Sequence, residues 1–280
     1  MSLNCFNVYS GRIDLEKAFK NEMKWEIGAL FLSAEANTNF ELLDFISNNN
    51  ENSNYNFKEK NIAGYTQFSG KIKKIHYAFG LRTENTNIKG KHTNAPSLLI
   101  DKNYINFFPK IQLDIPVDST KTISFNYAKS ILRPNYSSTS KISIYTNPYL
   151  VYSRNINLNP TITDEISGTF QYKNKSIKLN FYQSKDPVNF SFSYNSSVNL
   201  ITFNSINYAK ESGMNLEFTL PFKKRFWSSE NSFNLIYNKI EDKSAFFNES
   251  KPYLYYYLNH IFELPKEFDF SITGWGFTER

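Results

Sequence analysis

Apolar and polar residues alternate with a period of two through most of the chain, and this feature constrains the fold more than any other. Over residues 122–128 the odd positions are Ile, Phe and Tyr, and the even ones are Thr, Ser, Asn and Ala. Residues 75–84, 110–115, 177–182 and 232–238 largely follow the same rule. Successive side chains of a β-strand point to opposite faces, so the pattern predicts strands with one apolar and one polar face.

The composition indicates where those two faces lie. The chain holds 26 Phe, 19 Tyr and 3 Trp, yet its mean hydropathy is -0.50. Strands that face lipid on one side and a hydrated lumen on the other combine many rings with a polar average. A soluble sandwich would instead bury its apolar face against a second sheet and carry more charge outside. We therefore predict an all-β fold, an antiparallel up-and-down transmembrane β-barrel, with residues 1–280 as a single domain.

Turn signals of two sizes separate the alternating segments. Residues 69–72, 173–175 and 264–267 read as compact turns, whereas residues 45–56 and 90–97 read as long polar loops. A membrane barrel has this asymmetry, with short turns on one rim and long loops on the other. We expect about twelve strands of about 9 to 14 residues, long enough to cross a bilayer. The aromatic runs at 104–108 and 253–257 suit girdles at the membrane interfaces.

About twelve strands form only part of a large receptor barrel. The chain has no apolar run long enough for a transmembrane helix, and residues 1–10 lack the features of a signal peptide. We therefore expect a fragment without a plug domain. The single cysteine, Cys5, rules out an internal disulfide. The net charge of +6 is spread over turns and strand ends, which argues against a nucleic-acid partner.

Several segments, in order along the chain, resemble the outer membrane β-barrel family of Bacteroidota, relatives of the barrel domain of TonB-dependent receptors. The most specific stretch is Leu81-Arg82-Thr83-Glu84, which is similar to the family's GLR-x-E strand and follows a matching strand at 61–65. Further matches are the phenylalanine-proline strand start at 104–109, the Arg-Pro-x-Tyr loop entry at 132–136 and the loop at 154–161, which keeps Asn155, Leu158 and Pro160.

The resemblance implies a location in the bacterial outer membrane and uptake of a bulky nutrient such as an iron chelate or a glycan. It also implies a barrel of about 22 strands in full form, with a plug inside. The implied partners are membrane lipid, a plug domain and TonB through missing segments, and a surface lipoprotein. Two alternatives stay open at this point. One is a non-transporting structural, adhesin-like or secretion-associated barrel, and the other is a soluble β-rich glycan-binding domain.

The sequence offers no set of residues with catalytic or metal-binding spacing. His76, His92 and His260 lie on separate segments and form no paired-ligand pattern. The adjacent carboxylates Asp164 with Glu165 and Glu241 with Asp242 would point to opposite faces of a strand, whereas glycosidase chemistry needs two that face each other. We predict no enzyme, no catalytic, metal or cofactor-binding residues and no cofactor, and the ligand-binding residues stay unknown. Arg82, Glu84, Lys110 and Asp114 are expected to form a charged ladder inside the barrel, balancing one another or contacting a plug.

Overall fold

The computed structural model describes residues 2–20, 22–43, 50–92, 100–134, 143–153, 155, 157–245 and 251–279. Seventeen strands follow one another: β1 Ser2–Ala18, β2 Lys24–Leu43, β3 Asn50–Ile72, β4 Ile75–His92, β5 Ile100–Pro116, β6 Lys121–Leu132, β7 Ser143–Asn147, β8 Leu150–Ser153, β9 Thr161–Tyr172, β10 Lys175–Lys185, β11 Val188–Asn195, β12 Leu200–Asn207, β13 Lys210–Thr219, β14 Phe222–Lys224, β15 Trp227–Glu241, β16 Tyr253–Leu264 and β17 Phe268–Phe277. No helix within these described ranges is long and apolar enough to span a membrane.

Twelve strands form one continuous up-and-down sheet in the order β1-β2-β3-β4-β5-β6-β9-β10-β13-β15-β16-β17, with β14 paired to β15. Neighbours in this sheet pair antiparallel, which confirms the predicted architecture and strand number. Among the described strands β1 pairs only with β2 and β17 only with β16, so the sheet is open. A separate four-stranded sheet in the order β11-β12-β8-β7 is built from the two insertions that follow β6 and β10.

The pairing register sorts the side chains of the large sheet into two faces. Residues directly opposite each other share a face, so one face carries rows such as Leu113, Phe125 and Gly168, and the other carries rows such as Asp114, Ser124 and Thr169. We call these the apolar face and the polar face. The predicted alternation is confirmed, because the large rings of the apolar face are exposed while serines, threonines and carboxylates of the polar face are buried.

The apolar face has the height of a membrane. On β5 its apolar residues run from Ile115 to Ile105, about 33 Å along a strand at about 3.3 Å per residue. At a tilt of about 40° this is a vertical band of about 25 Å, the height that lipid requires. Beyond Ile105 the same face continues with Asn103 and Asp101. The band therefore ends in polar residues on the side of the long loops.

Strands β1 to β5 are longer than predicted, at 17 to 23 residues. The sequence prediction ended each strand where the apolar residues ended, but backbone pairing continues past that point. On β2 and β3, for example, Glu35 lies opposite Lys58 and Asn37 opposite Asn56, well above the apolar band. The loops predicted at 45–56 and 90–97 are accordingly wrong in part, since β3 begins at Asn50 and β4 continues to His92. Residues 44–49 and 93–99 lie outside the described residues.

The short turns that connect strands of the large sheet lie on one rim, and their left-handed backbone conformations fall on residues other than glycine. The turns at 173–174 and 265–267 are confirmed, but the compact turn predicted at 69–72 is wrong, because β3 runs to Ile72 and the turn is Lys73-Lys74. Lys73, Lys173 and Lys266 adopt positive φ angles of 55°, 55° and 65°, and none of the ten glycines does. All ten glycines lie within strands instead, so Gly70 marked a strand and not a turn.

Several strand glycines lie directly opposite a tyrosine whose ring covers them. The register pairs Gly28 with Tyr65, Gly70 with Tyr77, Gly213 with Tyr182 and Gly276 with Tyr256. A Cβ atom added to Gly213 would lie 2.5 Å from the Tyr182 ring, and the Tyr182 hydroxyl donates to Glu211 at 2.9 Å. An aromatic ring packed over a glycine of the next strand fixes the register between the two strands. The alternation alone would allow a shift by two residues, because such a shift keeps every side chain on its face.

The predicted aromatic girdles are confirmed only in part. The runs 104–108 and 253–257 are divided between the two faces, because consecutive residues of a strand point in opposite directions, and Phe108 is buried on the polar face. A cluster that the sequence prediction missed lies on the apolar face beside the short turns. Trp227 stacks on Phe262 at 6.2 Å between ring centroids and contacts Phe222 at 5.0 Å, and its Nε1 donates to His260 at 3.3 Å.

We expect Gly213→Ala to lower the free energy of unfolding in lipid vesicles by about 1–3 kcal/mol, because the new methyl group displaces the Tyr182 ring and breaks its bond to Glu211. The matched control is Gly168→Ala, where no atom lies within 4 Å of the added Cβ. That change should be neutral or stabilise by about 0.5 kcal/mol. Equal losses in both variants would show that the ring contact is unimportant.

The turn between β5 and β6 predicts a dependence of stability on pH. The Thr120 hydroxyl and backbone amide donate to Asp118 at 2.7 and 2.8 Å, and Lys121 lies 3.1 Å away, so the pKa of Asp118 is lowered well below its ordinary range. A lowered folded pKa gives stability that is present above the unfolded value of about 4 and is lost as the pH falls through the folded value.

Asp118→Asn keeps an oxygen acceptor for Thr120 but removes the charge. We expect wild type to be more stable than this variant at pH 7, and the difference to shrink as the pH falls below about 4. Urea unfolding of the two proteins in vesicles between pH 3 and pH 7 measures it. A difference that stays constant over that range would contradict the assignment.

Candidate functional site

Two buried carboxylates lie on the polar face close to the long loops. Glu59 on β3 and Glu84 on β4 are 4% and 3% exposed. The strand pairing places both side chains on the same face. Glu84 lies directly opposite Ala63, and Glu59 lies four positions before Ala63 on the same strand. A buried carboxylate needs a cation and hydrogen-bond donors to remain charged.

Arg133 supplies the cation from the end of β6. Its Nε lies 3.3 Å from Glu59 Oε1, and its Nη2 contacts Glu84. Arg82 Nε lies 2.6 Å from the other oxygen of Glu84, so two guanidinium groups balance two carboxylates. We call these four residues the inner network. Asn61 donates to Glu84 at 3.0 Å and to Thr86 at 2.7 Å, and this completes the coordination.

The inner network joins segments that resemblance had singled out separately. Arg82 and Glu84 come from the GLR-x-E stretch, and Arg133 comes from the Arg-Pro-x-Tyr loop entry. The prediction had placed Arg82 and Glu84 in a balanced ladder, and the geometry confirms their pairing. It had not found Glu59 or Arg133 as their partners. The alternation puts Glu59 on the right face, but no sequence pattern shows that a residue 49 positions after Glu84 folds back onto it.

A second group fastens the insertion between β6 and β9 to the polar face. Lys102 Nζ donates to the carbonyl oxygens of Asn157 and Leu158, both at 3.0 Å, and to Asn159 Oδ1 at 2.9 Å. We call residues 157–160 the crossing segment. Leu158 is 4% exposed and lines a cavity of about 20 Å³ together with Phe57, Ile88, Ile100 and Pro160. The matched positions Leu158 and Pro160 are thus the ones that pack inward.

The crossing segment also binds the base of the β11–β12 hairpin. The backbone amide of Asn159 donates to Asn207 Oδ1 at 2.7 Å, and Asn207 Nδ2 donates back to the backbone carbonyl of Asn159 at 3.0 Å. Strand β8, which precedes the crossing segment in the chain, pairs in parallel with β12 of the same hairpin. We call the four strands β7, β8, β11 and β12 the rim sheet, since they lie on the rim of the long loops.

Lower on the polar face lies a basic concavity with a volume of about 370 Å³, and its lining includes Arg12, Tyr65, Arg82 and Lys110. Lys110 and Asp114 lie on the same face as Arg82 and Glu84, as the ladder prediction requires. Asp114 accepts hydrogen bonds from Gln112 and Ser124 at 2.9 and 2.6 Å. The wall below the loops is therefore polar, mostly charge-balanced and open.

The remaining candidates for chemistry are separated in space. His76 lies opposite Asp114 on the polar face, and His260 lies on the apolar face beside Trp227. Asp164 points to the apolar face, where Tyr127 donates to it, and its neighbour Glu165 points to the polar face, as predicted. In the part of the chain that the structure describes, no three His, Cys, Asp or Glu residues are grouped as metal ligands.

Comparison with known proteins identifies what this architecture is similar to. The model of the outer membrane protein beta-barrel family matches residues 4–280. No curated protein matches the chain. Similar solved structures include the copper transporter OprC, with 11% identity and a TM-score of 0.67, the ferric-catecholate import receptor Fiu from E. coli K12, with 10% and 0.62, and the siderophore receptor PiuA from Acinetobacter baumannii, with 11% and 0.59.

These alignments cover 99%, 96% and 94% of this chain, but only 49%, 44% and 44% of the three structures. The chain therefore spans slightly less than half of the length of these three structures. At this level of identity the likeness establishes the fold. The match of the family model is stronger evidence than these structural likenesses, because it extends over residues 4–280 and so includes the motif positions of the inner network as well as the strands.

We expect Arg133→Ala to lower the free energy of unfolding by about 3 kcal/mol, because it leaves two buried carboxylates without a cation. The control is Arg12→Ala, which removes an arginine from an exposed pair with Asp14 and should cost much less, because solvent screens that pair. Unfolding in vesicles measures both, and limited proteolysis at 154–160 reports whether the crossing segment is released. Similar losses in the two variants would contradict a structural role for the inner network.

Proposed function

Because the chain belongs to the outer membrane protein β-barrel family, we propose that it forms part of the wall of a TonB-dependent receptor that takes up a bulky nutrient. The membership confirms the predicted all-β barrel fold and its place in the bacterial outer membrane. It also sets aside the soluble glycan-binding alternative. The predicted absence of enzymatic activity is in line with the family and with the structural neighbours, which are transporters and receptors.

The observation that supports a receptor best is the crossing segment fastened to the polar face by Lys102 and Asn207. A simple pore needs loops that leave the lumen free. Here residues 157–160 fold inward and are tied to Lys102 on the polar face, beside Glu59 and Arg133 of the inner network. Ordered loops over the mouth give a solute something to bind before it passes, as selective uptake requires.

The transported class is proposed from the neighbours, which include a copper transporter, a ferric-catecholate receptor and a siderophore receptor. The proposed cargo is an iron chelate or a glycan of similar bulk. We further propose that strands outside these twelve close the barrel, because lipid cannot satisfy the free backbone groups along the outer edges of β1 and β17. A plug domain, TonB and a surface lipoprotein are the proposed partners, and an origin in Bacteroidota stays a prediction.

Uptake by intact cells tests the proposal. In the bacterium that encodes this chain, deletion of the gene should abolish uptake of one nutrient from a panel of ferric chelates, copper and oligosaccharides. Dissipating the proton motive force should have the same effect on the undeleted strain, because TonB transmits that energy. Undiminished uptake across the whole panel, together with a change in adhesion or secretion, would support the non-transporting barrel instead.

A further inference from the structure

One face of the rim sheet is rich in exposed aromatic side chains, and we call it the aromatic face. The register places Phe192 opposite Phe203 and Phe203 opposite Tyr152, so three rings form a row across β11, β12 and β8. The ring centroids of Phe203 and Tyr152 are 5.4 Å apart and stacked, and those of Phe192 and Phe203 are 6.2 Å apart. Other residues with the same parity are Ile144, Leu150, Val188, Phe190, Tyr194 and Ile201.

These rings are unusually accessible. Phe190, Tyr194 and Phe192 are 73%, 60% and 53% exposed. A contiguous exposed apolar area on a sheet marks a binding surface more often than scattered single residues do. The crossing segment is hydrogen-bonded to the base of the rim sheet at Asn207, and a surface that is already in place binds a ligand at a lower entropic cost.

Lipid does not account for this surface. On β10 and β13 the apolar face ends at Phe181 and Met214, and Lys185 and Lys210 follow on the same side. The rim sheet begins only after these lysines. It therefore lies beyond the charged edge of the membrane band.

The aromatic face is turned toward the lumen. Asn207 has the parity of Phe203, and its side chain reaches the crossing segment that Lys102 holds on the polar face. This contact places the rings over the mouth of the barrel.

The charge of the rim sheet defines the ligand. Its four strands contain no Asp, Glu, Lys or Arg, although 21% of the whole chain is charged. Their polar residues are asparagine, serine and threonine, whose amides and hydroxyls bind other neutral polar groups. An anionic chelate or a phosphate would be met by arginine or lysine. Protein–protein interfaces are depleted of serine, whereas the four strands of the rim sheet contain five serines.

Resting on the proposed function, we propose that the aromatic face of the rim sheet binds a neutral oligosaccharide at the mouth of the receptor. A row of three rings offers flat apolar surfaces to successive sugar rings, and the surrounding amides and hydroxyls bond to their hydroxyl groups. The site narrows the substrate of the receptor to an uncharged glycan.

Calorimetric titration of the full receptor tests this inference. The protein is purified from its own membrane in a detergent without a sugar head group, since such a head group would compete for the site. The probes are maltohexaose, cellohexaose and xylohexaose, with a ferric catecholate as the charged comparison. We expect one of the hexasaccharides to bind and the ferric catecholate to show no binding at this face.

Three variants locate the binding. Phe192→Ala and Tyr194→Ala should each weaken saccharide binding about threefold to tenfold, the range expected for loss of one stacked ring. Tyr145→Ala is the matched control, because Tyr145 is 57% exposed on the opposite face of the same sheet. Its affinity should equal that of wild type. Heat-modified migration on gels verifies that each variant is folded.

Absence of binding by all three saccharides, or equal weakening by Tyr145→Ala, would overturn the inference. The inference would also be overturned if Phe192→Ala abolished the binding of a ferric catecholate or of a protein partner. The two proposals fail separately. Saccharide binding at this face without uptake in cells would contradict the transport function and leave the site intact, whereas uptake of a ferric chelate without saccharide binding would contradict the site alone.

Discussion

Backbone hydrogen bonding in the absence of water is the constraint on which this structure depends. Within lipid each amide and carbonyl must find its partner in a neighbouring strand, since no solvent is available. An antiparallel sheet in which consecutive strands are neighbours meets that need with short connections, and β1 to β6 show it without interruption. The side chains then have only to satisfy two environments, lipid on one face and water on the other. The two-residue alternation expresses this requirement in the sequence.

Features that follow from this local requirement were predictable. Strand number, the faces of residues such as Phe125 and Asp114, and the rim on which the short turns lie all derive from neighbouring positions in the sequence. The strand ends were not predictable, because pairing between Glu35 and Lys58 continues where the apolar pattern has stopped. Turn positions were misjudged for a related reason. The lysine at 73 adopts the left-handed backbone conformation usually associated with glycine, and Gly70 lies in a strand beneath a tyrosine ring.

The site was beyond the sequence for a different physical reason. Arg133, at the end of β6, meets Glu59 on β3 and Glu84 on β4 by reaching across β5, and the order of residues in a chain does not specify such a contact. The inner network shows why resemblance helped where periodicity did not. Buried charges tolerate few replacements, because each loss leaves another charge without compensation. Motif residues from two separate segments are thus parts of one electrostatic unit.

The lysines of the short turns have a consequence for the position of the wall in the membrane. Lys73, Lys173 and Lys266 lie at the tips of three turns, and the aromatic cluster around Trp227 ends the apolar band beside the turn of Lys266. Ammonium groups at this level meet the phosphates of the lipid leaflet on that side, and long side chains adjust to them. Vertical sliding of the barrel would draw these charges into hydrocarbon or away from the phosphates. The turn rim thus acts as an electrostatic anchor whose strength depends on ionic strength and on the anionic content of that leaflet.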